Sequence, residues 1–235
     1  MDIKNMTPEQ FAKVFDMAVL AADTPEEAIR EGARQARAYN LNAYYTTPIW
    51  TKAVAEELAG SDVQVGVGIG FPYGTHTVAT KMFELEDAIA NGSTVADMMI
   101  NAGALKTGRW DILEEEIQGL VDRCNAAGIP SKVIIEVGYL TEDEIAQVTK
   151  LICKCGADYV KTATGTQALP NNNHVMAIIN NLSGKTKCKL SGVPRTFVLA
   201  ACLRMLEMGV ELIGTRSACK IVDEYKAYLA EKEGK

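Results

Sequence analysis

Histidine is scarce. His76 and His174 are the only two in 235 residues, far apart and each without an acidic or cysteine ligand nearby. A zinc centre built on imidazole is therefore not expected, and the chemistry is expected to run without a metal or cofactor. The six cysteines, at 124, 153, 155, 188, 202 and 219, show no CxxC spacing, so reduced, structural thiols are the reading. Basic residues do not outnumber acidic ones: 24 stand against 30, a formal charge of −6, which leaves no electrostatic footprint for nucleic acid. No stretch approaches the roughly 18 apolar residues of a membrane span. The N-terminal MDIKNMTPEQFAKVFDM also lacks the basic and apolar regions of a secretory signal. These absences predict a cytoplasmic protein that engages neither nucleic acid nor membrane, and an anionic substrate would need a local site.

What the chain has is alternation. With 48% of residues apolar it can bury a large core, and short apolar runs recur about eight times between longer segments of helical period. The predicted strands centre near Phe15, Tyr44, Val67, Met98, Ile135, Val160, Leu190 and Ile213, spaced by the length of one βα unit. That rhythm predicts an α/β fold, a (β/α)8 TIM barrel, as a single domain over residues 1–235. Segments such as DILEEEIQGLVDRCNAAG and TEDEIAQVTKLICKCG read as its helices, and capping boxes are predicted at Thr24 with Glu27 and at Thr141 with Glu144.

A dinucleotide-binding sheet is the rival architecture. The run GVGIGFPYG tests it and fails, because the third glycine of GxGxxG falls on Phe71. Gly66, Gly68 and Gly70 alternate instead, which predicts one strand face with room for something bulky, either a ligand in direct contact or a tight packing layer inside the barrel.

Three charged residues stand in or at the end of strand-like runs: Asp97 in VADMMIN, Lys161 in GADYVKTATGT and Lys189 in KCKLSGVPRT. Desolvating an unpaired charge costs several kcal/mol, so three together point to a shared site, although any one alone could sit in solvent just past its strand. Strand parity puts Asp97 and Lys161 on the inward face, where barrel enzymes place reacting groups. An amine attacks a carbonyl only when unprotonated, and an ordinary lysine is neutral to only about four parts in ten thousand at pH 7. Burial and a second cation lower that pKa. This assigns Lys161 as nucleophile, Lys189 as the neighbouring cation and Asp97 as the proton shuttle of an aldol reaction.

The motifs IGFPYG, ADMMINAGALKTG, KVIIEVGYLTEDE, GADYVKTATG and LSGVPRT, in this order over nearly the whole chain, resemble those of the deoxyribose-phosphate aldolases, class I aldolases of the (β/α)8 fold. The resemblance implies a Schiff base on Lys161, tuning by Lys189, proton relay by Asp97, and a first-strand aspartate, Asp16, beside the second lysine. It implies reversible cleavage of 2-deoxyribose 5-phosphate to glyceraldehyde 3-phosphate and acetaldehyde. The expected substrate-binding residues are Asp16, Thr164, Gly165, Gly192, Val193, Arg216 and Ser217. The partner is a small sugar phosphate or aldehyde, and self-association as a homodimer is left open.

Departures bear on substrate. Met17 and Ala18 replace a polar pair, and Tyr45-Thr46-Thr47-Pro48 replaces a Cys-Val-Asn-Pro-like segment. Ser191-Gly192-Val193-Pro194-Arg195-Thr196 stands where a more glycine-rich phosphate loop is usual, and Pro194 removes a backbone donor. Arg216 then either rebuilds the anion site or pairs with Glu211 or Asp223. An aldolase acting on a different, non-phosphorylated aldehyde, a non-catalytic phosphometabolite-binding barrel and a sugar-phosphate isomerase are the alternatives. Glu136 in VIIEV shares the inward parity of Ile134 and is read as orienting or pairing with a lysine, and Thr162 and Thr164 as either substrate ligands or loop caps. Lys106 and Arg109 are read as lying in a solvated loop, and Tyr225 and Tyr228 as the tyrosines nearest a C-terminal tail.

Overall fold

The computed structural model describes residues 6–194 and 196–233. Eight parallel strands close into a barrel in sequence order: β1 Phe15–Ala18, β2 Ala43–Thr46, β3 Gln64–Ile69, β4 Val95–Met99, β5 Ser131–Ile134, β6 Tyr159–Lys161, β7 Lys187–Leu190 and β8 Leu212–Gly214. The helices are α1 Pro8–Ala12, α2 Glu26–Ala38, α3 Thr51–Leu58, α4 Val78–Ala90, α5 Ala102–Lys106, α6 Trp110–Ala127, α7 Glu142–Cys155, α8 Asn172–Ile179, α9 Leu199–Glu207 and α10 Ala218–Glu233. The predicted (β/α)8 fold is the fold observed.

Helix ends follow local chemistry. Thr141 and Glu144 form the expected reciprocal box at the start of α7, and Gly128 and Gly156 end α6 and α7 in the left-handed conformation. The box expected at Thr24 does not form. Pro25 is the N-cap of α2 without a side-chain bond, and Glu26 and Glu27 in the first turn complement the positive end of the helix dipole instead. Lys106 is exposed as expected, but it is the last residue of α5 rather than part of a loop, and it pairs with Glu144 at 2.6 Å. Arg109 is exposed and pairs with Asp111.

The strands are buried on both faces, as a helix-covered parallel sheet requires. Their apolar residues divide into a large core between sheet and helices and a small cluster of Ala43, Tyr45 and Val95. Register pairs Tyr45 with Gly66, Gly68 with Asp97, Asp97 with Lys132, and Lys161 with Lys189. A Cβ at Gly66 would fall 2.6 Å from the Tyr45 ring, so that glycine makes room for an aromatic neighbour. Gly70 does not continue the alternation: β3 ends at Ile69, and Gly70 adopts φ +62 in the following turn. Trp50 and Trp110 are half-buried and pack on the main core.

Candidate active site

Five charged side chains from five strands meet in the barrel. Lys161 donates to Oδ2 of Asp97 at 2.7 Å, and Lys189 donates to the same oxygen at 2.7 Å. Asp16 lies 2.7 Å from Lys189 and accepts from Lys132 at 2.7 Å, with Asn42 donating to its other oxygen at 2.7 Å. Tyr45 donates to Oδ1 of Asp97 at 2.6 Å. Asp97, Lys161 and Lys189 therefore converge, and Asp16 joins them beside the second lysine.

Counting charge explains which amine gives up its proton first. Three ammonium groups against two carboxylates leave one positive charge in excess inside a low-dielectric interior. Lys189 touches both carboxylates, and although burial alone would lower its pKa, Asp16 and Asp97 together raise it. Lys132 is lowered by burial against the pull of Asp16. Lys161 shares Asp97 and has no second anion in contact. Burial, aided by the positive charge of Lys189 and opposed by Asp97, brings it down to about 8. Burial works against ionising Asp97, yet Lys161, Lys189 and Lys132 hold its carboxyl below the ordinary range. Asp16 is likewise held low by Lys132 and Lys189 despite its burial. With Lys161 neutral the cluster carries two charges of each sign.

Lys161, Lys189, Asp16 and Tyr45 line a cavity of about 450 Å³, together with Thr164, Gly165, Gly192, Val193, Arg216 and Ser217. Every expected substrate-binding residue thus borders one space. Gly192 has φ +79, and a Cβ there would come 2.9 Å from that of Ala163; Gly165, at φ +89, faces its Cα. This close approach keeps the loops after β6 and β7 in contact, with Ser191 donating to the carbonyl of Ala163. Arg216 is exposed and has no ion-pair partner among the described residues, because Glu211 pairs with Lys187 and Asp223 with Tyr39 and Lys226. Arg195 lies outside the described residues.

Other expectations are corrected. Glu136 engages no lysine among the described residues. It adopts φ +50 and accepts from the backbone N–H of Thr164 at 2.9 Å and from the Thr164 hydroxyl. Thr164 is thereby fixed at the cavity wall, whereas Thr162 is buried, donating to the carbonyl of Ser191 at 2.8 Å and accepting its N–H at 2.9 Å. Tyr225 stacks on Phe11 and donates to the carbonyl of Met6, away from the cavity-lining residues. Sequence reasoning missed Lys132 and the contribution of Tyr45. Lys132 was findable, since it shares strand parity with Ile134, which was already read as inward.

The profile of the DeoC/LacD family aldolases matches residues 4–210. The deoxyribose-phosphate aldolase of Bacteroides thetaiotaomicron is 37% identical over 225 residues, covering 95% of this chain and 94% of its own. That of Bacillus cytotoxicus is 38% identical over 212 residues, covering 90% and 94%. Among solved structures, the tetrameric deoxyribose phosphate aldolase of Aeropyrum pernix superposes with a TM-score of 0.84 at 25% identity, over 94% of this chain and 93% of that one. None of the helices described is long and apolar enough to cross a membrane.

Proposed function

Because this chain belongs to the DeoC/LacD family of aldolases, we propose that it cleaves and forms a carbon–carbon bond of 2-deoxyribose 5-phosphate or a close analogue through an imine on Lys161. The observation that carries the reading is the position of that amine: 7% exposed, at the edge of a cavity, with a pKa of about 8 and half of a shared carboxylate oxygen.

The free amine attacks the C1 aldehyde, and loss of water leaves an iminium that restores the positive charge given up at Lys161. The C3 hydroxyl then loses its proton, the C2–C3 bond breaks, and its electron pair flows into the iminium. Glyceraldehyde 3-phosphate leaves, and an enamine remains on Lys161. Protonation of C2 and hydrolysis, which takes up one water to balance that lost at the first step, release acetaldehyde and regenerate the amine. Asp97, bonded to both lysines, is the group suited to pass protons between Lys189 and the reacting atoms. The iminium is the electron sink, so the reaction includes no cofactor. The phosphate is proposed to lie at the other end of the cavity, against the Gly165 and Gly192 backbones, Arg216 and the N-terminal end of α10. All five charged residues come from one chain, so assembly is not needed to complete this centre. The setting we assign is a cytoplasmic enzyme acting on a small molecule.

Borohydride reduction in the presence of 2-deoxyribose 5-phosphate tests the mechanism. Mass spectrometry should find one adduct, on Lys161, with irreversible loss of cleavage activity, and Lys161→Arg should give neither adduct nor cleavage. An adduct elsewhere, or full turnover by the variant, would remove Lys161 from this role.

A further inference from the structure

Tyr45 stands among the charges of the cluster without carrying one. Its hydroxyl occupies Oδ1 of Asp97 at 2.6 Å, leaving Oδ2 to the two lysines. Its ring centroid lies 4.2 Å from the Lys189 nitrogen, 5.3 Å from that of Lys132 and 5.6 Å from that of Lys161. The space for this ring is provided by Gly66 in register on the next strand, where a Cβ would sit 2.6 Å from ring atoms. The residue is buried and borders the cavity.

Attraction between an ammonium and an aromatic face weakens with distance and is strongest when both are desolvated. The ring therefore favours a proton on Lys189 over one on Lys161. The hydroxyl acts in the same direction, because a donor at Oδ1 draws charge from Asp97, the one carboxylate that Lys161 contacts, whereas Lys189 keeps Asp16 as well. We propose that Tyr45 is a positioning residue that sorts the protons of the cluster, keeping Lys189 charged and leaving Lys161 as the free amine. The inference deepens the imine reading and rests on it for its functional meaning. The groups facing Tyr45 and the lysines are Asp16 from β1, Asp97 from β4, Lys132 from β5, Tyr159 and Lys161 from β6 and Lys189 from β7. From β3 and β8 the nearby residues are glycines, Gly66 and Gly214, which bring no charge. Burial and the carboxylates Asp97 and Asp16 hold the Tyr45 phenol well above its ordinary pKa, so it stays a donor throughout the working range.

The test reads the amine directly. Competitive acetylation with acetic anhydride, followed by mass spectrometry of the Lys161 peptide across pH, gives the apparent pKa of Lys161 without substrate. Tyr45→Phe keeps the ring and loses the hydroxyl, and should raise that pKa by about 0.5 unit, roughly a threefold loss of free amine at pH 7. Tyr45→Leu loses the ring as well, and should in addition lower the pKa of Lys189, read on its own peptide, by about 0.5 unit relative to Tyr45→Phe. Gly66→Ala, which crowds the ring without altering the phenol, should raise the Lys161 value in the same way. A merely structural role would lower the melting temperature and leave the titration in place. Folded Tyr45→Phe and Tyr45→Leu proteins that titrate as the parent does would overturn the assignment. Borohydride trapping with substrate, run on the parent in parallel, separates the two readings. A shifted titration with no trapped adduct sinks the imine and leaves the proton sorting, and the reverse result sinks the sorting alone.

Discussion

Lys161 and Lys189 donate to one and the same oxygen of Asp97, each at 2.7 Å, but only Lys189 also contacts Asp16. Two amines that begin alike are thereby made unlike, the second being tied to two anions and the first to half of one.

A pH dependence follows. The reactive form of Lys161 is the free amine, with a pKa near 8. The rate of imine formation and kcat/KM should rise about tenfold per pH unit below 8 and level off above it. Initial rates of borohydride trapping from pH 5.5 to 9.5 check this. A limb near the ordinary lysine value would show that the barrel does not depress the amine.

The same depression bears on stability. In the unfolded chain Lys161 returns to about 10.5, so between pH 8 and 10.5 the unfolded state binds more protons and the folded state gains as pH rises. Its destabilising contribution is full below about 8, on the order of 3 kcal/mol at most, and fades towards 10.5. Lys161→Met should therefore be more stable than the parent at pH 7, with the difference shrinking at pH 10. Urea midpoints at the two values give the comparison. A variant less stable than the parent at pH 7 would contradict it.

Lys132 is predicted to serve both stability and titration. Replacing it by Met leaves Asp16 buried with one cation fewer, at a cost of about 3 kcal/mol in denaturant unfolding. It also removes the excess positive charge, so Lys161 should hold its proton more tightly and its rising limb should move up by about 1 unit. Asp16→Asn should cost less in the Lys132→Met background than in the parent, since the pair is already broken.

Much of this was legible in the chain. The eight βα units, the inward parity of Asp97 and Lys161, and the approach of Lys189 all follow from spacing and alternation, because a parallel barrel repeats one unit. Lys132 escaped notice because it sits just after the turn Gly128-Ile129-Pro130, where a lysine ordinarily reaches solvent, and its partner Asp16 is 116 residues away. Tyr45 stands only as part of a departing segment until Gly66 is set beside it, a relation fixed by register rather than by sequence distance. Glu136 misled because β5 ends at Ile134 and a left-handed residue redirects the chain, so parity no longer applied. Gly70 lay beyond its strand for the same kind of reason.

Arg216 tests what the far end of the cavity recognises. Charge-assisted hydrogen bonds contribute roughly 1.5–3 kcal/mol. Arg216→Ala should therefore raise KM for 2-deoxyribose 5-phosphate by about tenfold to a hundredfold while leaving KM for 2-deoxyribose unchanged. Equal, unaltered KM values for both sugars would take Arg216 out of the site and favour a non-phosphorylated substrate.

A second buried pair lies outside the cavity and separates scaffold from chemistry. Lys81 donates to Glu116 at 2.6 Å and to the carbonyl of Met99 at 2.8 Å, while Glu116 accepts the N–H of Asn101 at 2.7 Å. Together they clamp the end of β4, the strand that carries Asp97, to α4 and α6. Both side chains are nearly inaccessible, so Lys81→Met strands a carboxylate and should cost about 3–5 kcal/mol. Adding Glu116→Gln removes the orphaned charge yet keeps an acceptor for Asn101, and should recover a large part of that loss. Neither change touches the charges around Lys161, so its apparent pKa should stay near 8 in both variants, measured by competitive acetylation. A shifted titration would mean that the clamp sets the geometry of Asp97 as well as the stability of the barrel.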